Sequence, residues 1–261
     1  MSGAISAAVV NLFSMRTRGW IIPVAALAAA LFAAGSVAQP SSARAVRATA
    51  PPEPVVIELF TAQGCADCPE ANARLESVAT EPGVIALTYA VDYWDYLGWE
   101  DTFARPEFEA RQRAYQAAMR LRNVYTPQVV IDGRRQVSGA QGPAMQAAID
   151  QEAARRVFPP EVEFRESGDA VGIGSGRPPA GGAEVWAVTF LPGSQTVTVE
   201  EGDNRGRVVR HVNVVRRLTR LGDWTGEPIL LDLPATTAGG DRIAVLVQSS
   251  GDRQILTAAV R

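Results

Sequence analysis

Between residues 55 and 157, runs of consecutive apolar side chains alternate with stretches whose apolar positions recur every three or four residues. The first pattern reads as strands covered on both faces, the second as amphipathic helices. Val55-Val56-Ile57-Glu58-Leu59-Phe60 and Val84 to Val91 predict strands of this kind. Pro69 opens a helix in which Leu75, Val78 and Ala79 share one face, and Phe108, Tyr115 and Met119 recur at helical spacing through Glu107–Arg122. Val129-Val130-Ile131 predicts a short strand, Asp132-Gly133 a hairpin turn into Arg135-Gln136-Val137, and Gly142 to Val157 a last helix with Met145, Ile149 and Ala153 on one face. The order β-α-β-α-β-β-α predicts a parallel pair, a crossover helix and an antiparallel hairpin in one sheet.

Pro159-Pro160 marks a change of pattern. Beyond it, Ala183–Leu191, Gln195–Val199, Val208–Leu218, Pro228–Leu233, Arg242–Gln248 and Ile255–Val260 read as strands separated by turn residues, which suggests a small antiparallel sandwich. His211 reads as a strand surface residue. Gly202-Asp203-Asn204-Arg205-Gly206 is turn chemistry first and a candidate contact loop second.

The N-terminus carries the marks of an export signal over residues 1–38. Arg16 and Arg18 precede an apolar run from Trp20 to Ala34, and Ser36-Val37-Ala38 offers a small-residue cleavage site. Met15 is a second candidate start. The alternative reading is an uncleaved anchor helix, the only membrane contact that the sequence suggests. Residues 39–54, with Pro40, Pro51, Pro52 and Pro54, read as an extended linker. The expected location is periplasmic or secreted.

Composition narrows the picture further. With 47% hydrophobic and 20% charged residues, the chain is neither disordered nor a multi-span membrane protein. A net charge of −3 without a basic block argues against nucleic acid as a partner. There are two cysteines and one histidine. A zinc site would need further soft ligands, so no metal and no cofactor is expected.

Both cysteines fall at the first strand-to-helix junction, in Thr61-Ala62-Gln63-Gly64-Cys65-Ala66-Asp67-Cys68-Pro69. Three residues apart at a helix start, their Cα atoms lie about 5–6 Å from each other, within disulfide range. Cys65 at the helix end would favour thiolate, and Cys68 one turn inside would be more shielded. That asymmetry supplies an attacking and a resolving sulfur. An inert structural disulfide is the competing reading, although so short a loop restrains the unfolded chain little. Downstream, Thr126-Pro127 directly before an apolar strand suits a cis X-Pro turn whose backbone could pair with an extended substrate, against the plain alternative of a trans Pro ending a helix.

Taken together, Phe60-Thr61-Ala62, Cys65-x-x-Cys68-Pro69 and Thr126-Pro127 before a strand hairpin resemble the thioredoxin superfamily. More closely, Glu58 to Cys65, Val91-Asp92-Tyr93-Trp94-Asp95-Tyr96-Leu97-Gly98-Trp99, Arg111-Gln112-Arg113, Val124 to Gln128, Asp203 to Arg207 and Asn213 to Arg216 resemble the exported thioredoxin-like family catalogued as domain of unknown function 1223. The resemblance implies an α/β thioredoxin-like N-terminal domain over 55–159, with a helical insertion at about 92–123, followed by an all-β, sandwich-like C-terminal domain over 160–261. In that frame Cys65, Cys68 and Pro127 are the catalytic candidates. Thr126, Asp92 and Trp94 are the candidate substrate contacts, with the aromatic and acidic residues from 92 to 99 either gripping a ligand or packing the insertion. Where thioredoxins carry a buried Asp this chain has Leu59, and the neighbouring Glu58 is either a proton-transfer acid or a structural partner of an Arg. The expected function is thiol–disulfide exchange with exported protein thiols or disulfides or with a periplasmic redox partner. The alternative is a non-catalytic binding or scaffold protein with a locked disulfide.

Overall fold

The structure, a computed structural model, describes residues 53–155, 158–235 and 240–261. The expected signal segment and the linker up to residue 52 lie outside them. No described helix is long and apolar enough to cross a membrane.

In the first half, the elements follow the order that the hydrophobic pattern predicts. They are β1 (Val55–Thr61), α1 (Cys68–Val78), β2 (Val84–Ala90), α2 (Pro106–Ala118), β3 (Gln128–Ile131), β4 (Arg135–Ser138) and α3 (Gly142–Ala153). β1 and β2 pair in parallel, and β1 pairs antiparallel with β3, which turns through Asp132 and Gly133, both at positive φ, into β4. Within β1 the side chains alternate: Val55, Ile57 and Leu59 pack against Leu75 of α1 and Ile149 of α3, whereas Val56 and Phe60 face the opposite core with Phe108 and Tyr115 of α2. Glu58 and Leu59 therefore point to opposite faces, as their spacing requires.

The second half does not form a separate sandwich, and the expected fold class is corrected here. Its strands are β5 (Val162–Phe164), β6 (Ala170–Ile173), β7 (Ala183–Thr198), β8 (Val208–Trp224), β9 (Ile229–Asp232), β10 (Arg242–Ser249) and β11 (Ile255–Val260). Four of them extend the first sheet into one mixed sheet of eight strands, in the order β11-β10-β7-β8-β2-β1-β3-β4. Among the described residues the finding is thus one large mixed sheet with three α-helices, not a thioredoxin-like domain with a β-sandwich behind it. Only β5, β6 and β9 form a second sheet, of three strands, whose Val171 and Ile173 meet Val185, Ala187, Val245 and Val247 of the large one.

The physical reason lies at the free edge of β2. All but the first residue of that strand are buried, so its outer edge needs a hydrogen-bonding partner. β8 supplies it: Thr88 pairs with Val214, Thr88 Oγ1 donates to the Val212 carbonyl at 2.6 Å, and Asn213 Nδ2 donates to the Ala86 carbonyl at 3.0 Å. Asn213 sits at φ +48°, a conformation Asn tolerates well, opposite the register shift between Leu191 and Ser194 of β7. The runs 183–191 and 195–199 also prove to be one strand, carried past Pro192-Gly193 by a register shift against β8. His211, expected at the surface, is instead 1% exposed, with its ring edge-on to Phe103 at 5.5 Å.

Candidate functional site

β1 ends at Thr61, and the chain turns through Ala62–Asp67 before α1 begins. Cys65 and Cys68 are joined in a disulfide with Cα atoms 5.4 Å apart. Pro69 sits in the first helical turn, where its missing N–H would have had no intrahelical partner. The helix begins at Cys68 itself, one residue before Pro69, so Cys68 is not one turn inside it, and Cys65 precedes it, its carbonyl accepting the Cys68 amide at 3.2 Å. Nor is one sulfur open and the other shielded: Cys65 is 2% exposed and Cys68 0%. Both are part of the core that holds Phe60 and Tyr89.

A loop from the far half of the chain covers Cys65. Asn204, fully buried, donates from Nδ2 to the carbonyl oxygens of Gln63 at 2.8 Å and Cys65 at 2.7 Å. Both hydrogens of its amide are used, and its Oδ1 accepts from Arg207 Nη1 at 2.7 Å. Gly202 turns this loop at φ +76°, a backbone conformation that side chains other than glycine rarely adopt, while a Cβ there would make only ordinary contacts, 3.5 Å from Leu97 Cβ and 4.0 Å from Gly64 Cα.

Gln63 ties the same turn to the 92–123 segment. Its amide donates to Asp101 Oδ2 at 2.6 Å, its Oε1 accepts from Trp99 Nε1 at 2.8 Å, and its Nε2 donates to Thr102 Oγ1 at 2.8 Å. Burial pushes the Asp101 carboxyl up to about 6, against the pull of the Gln63 and Phe103 amides. The sequence pattern does not mark Gln63, Asp101 or Asn204 as site residues. Only the turn signature around Asn204 points at a contact loop.

Thr126–Pro127 is cis. Pro127 lies beside the first turns of α1. A Cβ on Gly139 would meet Ala71 Cβ at 2.7 Å and Pro127 Cβ at 3.0 Å, and the Gly139 amide donates to the Pro127 carbonyl at 2.9 Å. Trp94 Nε1 donates to Thr126 Oγ1 at 2.7 Å, and a Cβ on Gly64 would lie 3.5 Å from Trp94 Cβ. Trp94 thus bridges the Thr-Pro turn and the cysteine turn. Its ring stacks on Tyr96, which is 78% exposed. Asp92 does not join this group: it is half-buried, its carbonyl accepts the Asp95 amide at 3.0 Å, and its carboxylate has no hydrogen bond among the described residues.

Glu58 is a structural carboxylate. Fully buried, it accepts from Arg111 Nε at 2.6 Å and Nη2 at 3.1 Å and from the Tyr115 hydroxyl. Burial holds the Tyr115 phenol well above its usual range, so it remains a donor. Gln248 of β10 closes the network, with Nε2 donating to the Tyr115 oxygen at 2.8 Å. Among the described residues no three His, Cys, Asp or Glu side chains gather as a metal site.

Comparison with known proteins adds the following. The family model described as "Protein of unknown function (DUF1223)" matches residues 56–248. The crystal structure of protein AGR_C_4864 from Agrobacterium tumefaciens is similar at 33% identity and TM-score 0.64, over 79% of this chain and 92% of that one. HBP35 of Porphyromonas gingivalis is similar in fold alone, at 14% identity and TM-score 0.54, over 81% of this chain and 76% of that one. No curated protein matches the chain.

Proposed function

The chain belongs to the DUF1223 family, and we propose that it is an exported thiol–disulfide oxidoreductase acting through Cys65 and Cys68. The observation that carries this reading is the position of the disulfide at the start of α1, with Trp94 against Gly64 of the cysteine turn and hydrogen-bonded to Thr126. A two-residue gap closes a loop too short to restrain the unfolded chain much, which favours chemistry over stability as the reason for the pair. In the oxidising direction a substrate thiolate attacks one sulfur, the Cys65–Cys68 bond breaks, and a mixed disulfide forms. A second substrate thiolate then displaces the protein, which keeps two electrons and, on protonation, two thiols. The reverse sequence reduces a substrate disulfide. On this reading a substrate would meet Trp94, Tyr96 and Thr126, which are joined by the Trp94–Thr126 hydrogen bond and the stacked Trp94 and Tyr96 rings. Export to the periplasm, which rests on the arginines and apolar run before residue 39, and kinship with the thioredoxin superfamily, which rests on the two motifs, belong to the same proposal.

The test is trapping. Cys68→Ser leaves Cys65 without a resolving partner, so mixed disulfides with exported proteins should accumulate and dissolve on reduction. The Cys65→Ser, Cys68→Ser double variant should trap nothing. Burial of both sulfurs favours a second reading, a binding or scaffold protein with a locked disulfide. Under that reading neither variant traps a partner.

A further inference from the structure

A cavity of about 270 Å³ lies between α2 and the far half of the large sheet. Ala110 and Ala114 of α2 form one wall, and Trp186 of β7 and Leu218 of β8 the other, with Arg111 and Gln248 also lining it. We propose that it binds a small, flat, uncharged apolar molecule bearing a hydrogen-bond acceptor such as a carbonyl. This stands independently of the dithiol reading.

The shape comes from the two alanines. One helical turn apart, they leave unfilled the space that longer side chains would occupy, and Trp186 and Leu218 remain only partly buried opposite them. Apolar walls with a few polar groups between them are the usual make-up of a small-molecule site. The polar specification comes from Arg111. Of its five N–H groups, Nε and Nη2 serve Glu58 and the Tyr115 hydroxyl, and Nη1 gives one bond to Gln248 Oε1 at 3.2 Å. One N–H of Nη1 is left without a described partner on a residue 8% exposed, and an acceptor on the ligand would satisfy it.

Charge excludes an anion. Glu58 neutralises Arg111, Glu184 and Asp223 together neutralise Arg253 and Arg220, and exposed Glu107 lines the cavity. No uncompensated positive charge remains to hold a carboxylate, so a neutral acceptor fits best.

Titration of the full chain with prodan, a neutral naphthalene ketone whose emission shifts to the blue in apolar surroundings, tests this. Wild type should show a saturable blue shift from a single site. Ala114→Leu, which fills the cavity with a good helix former, should weaken binding by about tenfold or more. Ala117→Leu, on an exposed position of the same helix, should bind as wild type does. Should Ala114→Leu fail to fold, Leu218→Phe fills the same space from the sheet. The carbonyl-free parent, 2-dimethylaminonaphthalene, should bind several-fold more weakly, and naphthalene-2-carboxylate should not compete. No saturable shift in wild type, or a shift unaffected by the filling variants, would overturn the site. Equal affinity for the carbonyl-free parent, or competition by the carboxylate, would overturn the ligand class.

Discussion

Asn204 Nδ2 donates to the Cys65 carbonyl oxygen across 2.7 Å, although 139 positions separate the two residues. With the companion bond to the Gln63 carbonyl, it clamps the cysteine turn from the far half of the sheet. An Asp at this position could not do the same, since an ionised carboxylate only accepts and would face two carbonyl oxygens.

The clamp has a kinetic consequence. Each bond is worth about 1 kcal/mol net, so removing both shifts the opening of the loop by at least about tenfold. Asn204→Ala should therefore speed reduction of the native disulfide by a phosphine, and alkylation of Cys65 in the reduced protein, by about tenfold or more. Thiol labelling timed by mass spectrometry reads both. Rates equal to wild type would show that the loop does not limit access.

Much of this site is legible in the sequence alone. Cys65, Cys68 and the Thr126–Pro127 turn stand out because their chemistry is local: a short spacing, and a proline before a strand. Trp94 is visible as part of an aromatic run, whereas Asp92, equally conspicuous in sequence, makes no side-chain hydrogen bond among the described residues. Gln63, Asp101 and Asn204 join the site through contacts across 36 to 141 positions, and polar residues in a turn carry no sign of what they will meet. The fold divides in the same way. Periodicity identifies the elements of the first half, but it does not show that β2 finds its missing edge partner in β8, because pairing between remote strands leaves no local pattern.

Glu58 and Arg111 form a buried pair that breaks asymmetrically. Glu58→Gln leaves the Arg111 charge uncompensated in the core and should cost about 3–5 kcal/mol of stability. Tyr115→Phe removes one donor and one acceptor from the same network and should cost about 1–3 kcal/mol. Denaturant unfolding measures both. A Glu58→Gln loss no larger than that of Tyr115→Phe would contradict the assignment of Glu58 as the partner of a buried charge.

His211 is buried with neither ring nitrogen hydrogen-bonded among the described residues, and burial lowers its pKa from 6.5 to about 4. The fold thus prefers the neutral ring, and the contribution is fully present above pH 6.5 and is lost as pH falls toward 4. Asp101 and Asp132, both raised to about 6 by burial, act in the opposite sense over pH 4 to 6, because the fold prefers their protonated forms. His211→Phe keeps the aromatic contact with Phe103 and removes only the titration. It should raise stability at pH 5 by about 2 kcal/mol more than at pH 8. An effect independent of pH would mean that the ring finds a proton acceptor when charged.

Asp67 occupies the N-cap of α1, exposed and making no capping hydrogen bond of its own. Its negative charge between the cysteines opposes thiolate formation, which raises the free energy of the reduced form and makes the disulfide less oxidising. Asp67→His should raise the reduction potential by roughly 20 mV or more, with the wild type nearer the thioredoxin value of about −270 mV than the strong-oxidant value of about −120 mV. A wild-type potential above about −180 mV would show that the helix N-terminus outweighs the Asp67 charge.

The most direct test of the central claim is equilibration of the folded wild-type protein in glutathione buffers without denaturant. Mass spectrometry would count free thiols while near-ultraviolet circular dichroism follows the fold. An exchange-active pair predicts a reversible two-electron transition of Cys65 and Cys68, approached equally from the oxidised and reduced sides, with the fold retained throughout. A disulfide that stays oxidised until the protein unfolds would contradict the account and leave a locked structural bond in its place.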